Sequence, residues 1–177
     1  MHTCIVDTAL GTIQAAAEVD AILGLWFTGQ KYFPSGTEAW TETQDYPVFT
    51  RLRAWLKDYF AGKKPKNNIK LSPNGTKFQM MVWKLLLEIP YGSTSSYGAI
   101  SSRLVSSGIK ASAQAVGGAV GHNPISILIP CHRVLGADGS LTGYAGGLEK
   151  KRALLELEGV SGFLPGVPHQ RDLLFSR

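Results

Sequence analysis

Cysteine, methionine and long apolar runs are all scarce in this chain. Its 177 residues include two cysteines, Cys4 and Cys131, and three methionines. Two thiols cannot build the multi-bridge framework that holds small secreted domains together, and no basic segment leading into a long apolar run opens the chain, where Asp7 appears early. Both thiols are therefore expected to be free, in a reducing cytoplasmic setting. No apolar stretch approaches the roughly 20 residues that span a bilayer, so no membrane role is expected.

What is present suits a globular chain. Apolar residues make up 44% of the sequence, ample for a packed core in one large domain or two small ones. The net charge of +5 is unevenly placed: residues 1–50 contain six acids and one base, Lys31, whereas residues 51–77 contain eight bases and one acid, Asp58. Such asymmetry hints at a polyanionic partner, with a solvated basic surface around Lys63, Lys64 and Lys66 as the alternative.

Residues 3–33 alternate apolar and polar side chains in places and turn at Gly11 and Gly24, which predicts two or three antiparallel strands. The period then changes. Val48, Leu52, Trp55, Leu56 and Tyr59 recur at helical spacing, with Gly62 and Pro65 as the stop. Thr76-Lys77-Phe78-Gln79 is a capping box that opens a second helix, with Phe78, Val82, Leu85, Leu86 and Ile89 as its buried stripe. Ser96 is the predicted N-cap of a short helix that turns Tyr97, Ile100 and Leu104 inward, and after Gly108 a further helix spans roughly 111–121. This pair has the outline of a helix-turn-helix. The expected fold is α/β in the α+β sense: a small N-terminal antiparallel-sheet domain with a helix at 1–70, a mostly helical C-terminal domain containing the helix-turn-helix at 71–164, and a tail at 165–177. Over 161–177, Leu164, Leu173, Leu174 and Phe175 offer packing, while Gly162, Pro165, Gly166 and Pro168 favour disorder.

The helix at 111–121 is nearly bare on one side. Helical spacing puts Ala113, Val116 and Val120 on one face and Ala111, Gln114, Gly118 and Gly121 on the other. Each helix-interior glycine costs about 1 kcal/mol relative to alanine. Gly117, Gly118 and Gly121 therefore need a compensating close approach, either of another part of the protein or of an outside backbone.

Cys131 ends the apolar run Ile127-Leu128-Ile129 and is bracketed by Pro130, His132 and Arg133. A thiol is a nucleophile only as thiolate, and cationic or hydrogen-bonding neighbours favour that form. A lone cysteine is often just a small core residue, but these neighbours argue for chemistry.

Pro130-Cys131-His132-Arg133-Val134 resembles the active-site signature of the alkylguanine-DNA alkyltransferases. Gly75-Thr76-Lys77-Phe78-Gln79, Ser96-Tyr97-Gly98, Ala115-Val116-Gly117-Gly118-Ala119, Asn123-Pro124, Gly143-Tyr144-Ala145-Gly146-Gly147 and Leu154-Leu155-Glu156-Leu157-Glu158-Gly159 follow the family's order and spacing, from about residue 74 to 160. The resemblance implies DNA repair by irreversible transfer of an alkyl group from the 6-oxygen of guanine, or the 4-oxygen of thymine, to Cys131. His132 would activate the thiol through a water and Glu158 would orient the histidine. Tyr97 would donate to the base or rotate the phosphate, and Asn123 would be the hinge after the groove helix. Ser96, Gln114, Ala115, Gly117 and Gly118 would meet the minor groove of double-stranded DNA, and Pro130, Val134, Tyr144, Ala145 and Gly146 would form the pocket for the flipped alkylguanine. Arg133 matches a structural position. The family usually has arginine where Gln114 stands, which puts the strength of base extrusion in doubt. The resemblance implies a monomer with no cofactor that acts once, since a thioether is not hydrolysed. Some relatives hold structural zinc in the first domain, but residues 1–70 offer only His2 and Cys4 as nitrogen and sulfur ligands. That is too few for a tetrahedral set, and no metal is expected.

Two rival readings remain at this stage. A non-catalytic helix-turn-helix damage-recognition protein would lack the cysteine, and a Cys-His hydrolase has no support beyond Cys131-His132.

Overall fold

Two tight hairpins build the first sheet of the computed structural model, which describes residues 1–164; the tail at 165–177, with Leu173, Leu174 and Phe175, lies outside the described residues. Strands β1 (His2–Thr8), β2 (Gly11–Glu18) and β3 (Ala21–Phe27) pair antiparallel, Cys4 opposite Ala15 and Ala15 opposite Leu25. Ile13, Ala15, Ala17 and Leu25 enter the core, but β3 is buried on both faces, and Gly24, expected at a turn, lies inside it opposite Ala16. A fourth strand, β4 (Thr41–Glu42), runs parallel to β1, giving the order β3-β2-β1-β4. Two residues carry too little periodicity to announce it.

The outer edge of β3 is also occupied. Ile22 donates to Lys70 and Ser72 donates back to Ile22, while Leu25 donates to Pro124 and Ser126 donates back to Leu25, all at 2.8–2.9 Å. These bonds satisfy an edge that would otherwise offer its unpaired groups to other chains. They also anchor the segment that leads to Cys131.

Helix α1 (Pro47–Phe60) buries Val48, Leu52, Leu56 and Tyr59 as its period predicts, and Trp55 stacks on Tyr59 with ring centroids 5.1 Å apart. Gly62, at φ 74°, closes it with Lys63 donating to Asp58 and itself to Tyr59. Helix α2 (Lys77–Leu86) opens on the complete capping box: Gln79 N–H donates to Thr76 Oγ1 at 3.2 Å and Thr76 N–H to Gln79 Oε1 at 2.8 Å. Trp83, outside the predicted stripe, is buried because its indole N–H donates to the Ala119 carbonyl at 2.9 Å.

Helices α3 (Tyr97–Ser106) and α4 (Ala113–Gly121) form the helix-turn-helix, with Ser96 and Ser112 as N-caps accepting from Ala99 and Ala115. Because Ser112 is the cap, Ala111 precedes the helix and packs on the core, while Ala113 is exposed in the first turn. Both faces assigned from periodicity are thus reversed at the helix start. Further along they hold: Val116 and Val120 are buried, Gln114 and Gly118 exposed. A short parallel pair, β5 (Ser95–Ser96) and β6 (Val134–Leu135), joins the start of α3 to the residues after Cys131, and α5 (Leu148–Leu157) completes the described chain. One continuous cluster of buried side chains runs from Cys4 through Trp83 to Leu154. Among the described residues no helix is long and apolar enough to cross a membrane.

Candidate active site

Two tight turns deliver Cys131. Ile127 sits at φ 69° with Leu128 N–H donating to Ser126 at 2.8 Å, a γ-turn that a β-branched residue enters at a cost of about 1–3 kcal/mol. Complete burial of the flanking residues holds it there. Pro130, at φ −81° and ψ 63°, forms an inverse γ-turn in which Cys131 N–H donates to Ile129 at 2.8 Å. The pyrrolidine ring pre-sets that φ. A single 3-10 turn then spans Cys131–Arg133 and sends adjacent side chains to different partners.

Cys131 faces Asn123. The Asn123 amide nitrogen lies 3.1 Å from Sγ, 2.8 Å from the Ile129 carbonyl and 3.3 Å from that of Ile125, so its two hydrogens are shared among three acceptors. Asn123 Oδ1 accepts from Ile125 N–H at 3.0 Å, which fixes the amide's orientation. The expectation that neighbours would favour the thiolate is only half met. Burial pushes the Cys131 thiol up, and the Asn123 hydrogen bond and the Lys151 ammonium pull it down by less.

His132 faces Glu158. Nε2 lies 2.7 Å from Oε1, both side chains being fully buried. Glu158 caps the C-terminus of α5 and collects four further donors: Tyr59 hydroxyl at 2.7 Å, Arg133 through Nε and Nη2 at 2.8 and 2.9 Å, and Gly92 N–H at 3.2 Å. Burial raises the carboxyl, but the bonds from His132 and Arg133 outweigh it and hold Glu158 well below the carboxylate range. The same burial lowers His132 despite Glu158, so the ring is neutral near pH 7. A carboxylate only accepts, so Nε2 carries the ring proton and Nδ1 keeps its lone pair. That atom is buried and has no partner in the described protein.

Of the remaining candidates, Tyr97 and Tyr144 lie near enough to Cys131 for its charge to raise their phenols beyond what burial does. The Tyr97 hydroxyl donates to Thr142 at 2.9 Å, and its ring lies 3.7 Å from where a Cβ on Gly117 would stand. A Cβ on Gly117 would thus make only ordinary contact with that ring and one on Gly118 would meet nothing within 4 Å, so packing inside the protein requires neither glycine. Gln114 and Ala115 are exposed beside them, and Ser96 is committed to its cap. Pro130 and Val134 are buried; Tyr144, Ala145 and Gly146 are half-buried, with Gly146 required because a Cβ would stand 2.8 Å from the Tyr144 ring. Burial raises the Tyr144 phenol, and the Cys131 thiolate charge would raise it further.

Three groups were missed in the sequence. Lys151 is fully buried and donates to Val134 and Thr142 at 2.6 Å and to Gly143 at 3.3 Å, clamping the 142–147 loop onto β6. Burial brings its pKa down to about 8. Its inward position is legible afterwards, since Leu148, Lys151, Leu155 and Glu158 share one helical face. Tyr59 belongs to the apolar stripe of α1, and the Gly92 amide has no sequence signal. The basic run at 51–77 is partly neutralised at the surface, where Arg51 pairs with Asp20 and Lys63 with Asp58. His2 and Cys4 do not fit a zinc site: His2 bonds Thr43 and stacks on Tyr46, and among the described residues no cluster of three metal-ligating side chains occurs.

The second helix of the helix-turn-helix ends at Gly121, two residues before the Asn123 that contacts the buried Cys131 thiol, so the fold ties a docking motif to a cysteine. Two family models cover nearly all of the described chain: the 6-O-methylguanine DNA methyltransferase ribonuclease-like domain over residues 1–73 and the DNA binding domain of the same name over 77–160. The chain belongs to the 6-O-methylguanine DNA methyltransferase family. It is 46% identical to a methylated-DNA–protein-cysteine methyltransferase of Mycobacterium tuberculosis over 89% of this chain and 92% of that protein. A Haemophilus influenzae protein of the same name is 39% identical over 95% and 92%. The crystal structure of Mycobacterium tuberculosis OGT in complex with DNA superposes with a TM-score of 0.83 at 44% identity, covering 90% of this chain and 93% of that one.

Arg133 and Glu158 form a fork that is almost wholly out of water, so removing the guanidinium leaves a buried charge short of two donors. Arg133→Ala is expected to lower unfolding free energy by about 3–5 kcal/mol. Arg133→Lys should recover only part, because an ammonium cannot make the bidentate contact. Urea denaturation of the three proteins at neutral pH checks both.

Proposed function

We propose that this protein repairs DNA by taking an alkyl group from the 6-oxygen of guanine onto Cys131, once per molecule. The observation that carries the reading is the orphaned Nδ1 lone pair of a neutral, Glu158-anchored His132 next to a buried, protonated thiol. Such a thiol needs a base. His132, acting through a water, takes the Cys131 proton as Sγ bonds to the alkyl carbon and the carbon–oxygen bond breaks. The departing guanine takes up a proton, with Tyr97 as its source or as the group that turns the phosphate out. Glu158 holds the histidine in tautomer and charge. Asn123 and Lys151 stabilise the sulfur as it becomes anionic. The product thioether has no good leaving group, so turnover stops there.

The bare face of α4, with Gln114, Ala115 and Gly118, suits a minor groove, where bulk is excluded. The target atom lies inside the duplex, so the nucleotide must leave the stack at a cost of a few kcal/mol, roughly. Pro130, Val134, Tyr144, Ala145 and Gly146 then frame the base. The two free thiols suit the reducing compartment where DNA lies, and the protein works there as a monomer.

Intact mass after mixing with a methylguanine duplex tests the reading: one methyl is gained on Cys131 and none on Cys4. Cys131→Ser should gain none while still binding duplex; alkylation of that serine, or of Cys4, would overturn the assignment.

Because burial holds His132 below the ordinary imidazole value of 6.5, its lone pair persists into mild acid. As pH falls from about 7.5, the transfer rate constant should still exceed half its starting value at about pH 6.5 and reach half only below that. A rate already halved at pH 6.5 would mark an ordinary imidazole.

Gln114 lacks the charge and planar guanidinium that let arginine stack and attract phosphates. Gln114→Arg should strengthen duplex binding and speed repair in duplex, with the free alkylguanine base reacting at an unchanged rate. If Gln114→Arg and Gln114→Ala both leave duplex repair unaltered, residue 114 does not fill the vacated stack.

A further inference from the structure

The turn that follows β3 touches both halves of the proposed machinery. Gln30, 8% exposed, anchors it: Phe27 N–H donates to Gln30 Oε1 at 2.9 Å, Gln30 N–H donates back to the Phe27 carbonyl at 3.1 Å, and Ser126 Oγ lies 3.4 Å from Oε1. The next amide, Lys31 N–H, donates to the Ala145 carbonyl at 3.0 Å. Tyr32 then stands at φ 61°, a region that residues other than glycine rarely occupy. Its ring lies on that of His122, with centroids 3.9 Å apart and planes 26° from parallel. His122 is the C-cap of α4, and its Nδ1 donates to the Gly118 carbonyl at 2.7 Å, which fixes the ring. Gly121 lies beside the stack, where a Cβ would stand 4.0 Å from Tyr32, an ordinary contact.

Tyr32 is 48% exposed, so burial does not explain its place. The stack does. An aromatic pair in near-parallel contact supplies what the unfavourable backbone angle costs, and it locks the residue next to the Lys31 amide. We infer that Tyr32 is a positioning residue: its stack on His122 fixes the Lys31 amide that holds Ala145, and so sets the shape of the base pocket. The inference rests on the reading of Ala145 and its neighbours as that pocket.

The test measures methylation of the protein by free 6-O-methylguanine base over a concentration series, followed by intact mass, which gives a half-saturating concentration and a limiting rate. Free base needs no duplex, so groove docking drops out. Tyr32→Gly accepts φ 61° without strain and keeps the turn while removing the ring; Tyr32→Ala removes both; Tyr32→Phe keeps the stack. Half-saturation is expected to rise about fivefold, equivalent to about 1 kcal/mol, in Tyr32→Gly and Tyr32→Ala. The limiting rate should stay near that of wild type, and Tyr32→Phe should match wild type in both quantities. Thermal midpoints taken in parallel show that the glycine variant is folded. Unchanged half-saturation in Tyr32→Gly overturns the inference, as does a Tyr32→Phe variant as weak as Tyr32→Gly. Failure of wild type to gain mass from either base or methylated duplex takes down the functional reading itself, a result distinct from equal behaviour of wild type and variants.

Discussion

A single carboxylate organises this molecule. Glu158 ends α5, yet its oxygens collect a phenol from α1, an imidazole and a guanidinium from the 3-10 turn at Cys131, and an amide from the loop before β5. An unpaired anion at 5% exposure would be expensive, and each of these donors would be costly to bury alone. Together they are mutually satisfied. The result is that three segments distant in sequence meet at one point, and the histidine beside the thiol has no freedom to choose its tautomer.

That arrangement sets the character of the cysteine. Burial strips water from Sγ and keeps it protonated, the opposite of the exposed, low-pKa thiols that react with any passing electrophile. Reactivity is deferred until a base acts on it. For a side chain that the proposed reaction spends irreversibly, a protonated resting state guards against waste on oxidants.

The sequence was most readable where the physics is local. The antiparallel strands, the Thr76–Gln79 box, the Ser96 cap and the inward stripes of α1 and α2 depend on neighbours a few residues away, and the structure keeps them, though Gly24 lies within β3 and not at a turn. The faces of α4 were misjudged at Ala111 and Ala113 because periodicity says nothing about where a cap starts the count. Cys131 stood out through its immediate neighbours, and Glu158 through family likeness alone, since an acid at a helix C-terminus ordinarily sits in water. Tyr59 and Lys151 escaped notice because their partners lie on other elements.

The edge of β3 has a consequence for synthesis. Leu25 completes its hydrogen bonds only with Pro124 and Ser126, so the strand leaves the ribosome long before its partner exists. At typical elongation rates the wait is on the order of 5–20 seconds. Throughout it, an apolar strand with an open edge is available to other nascent chains.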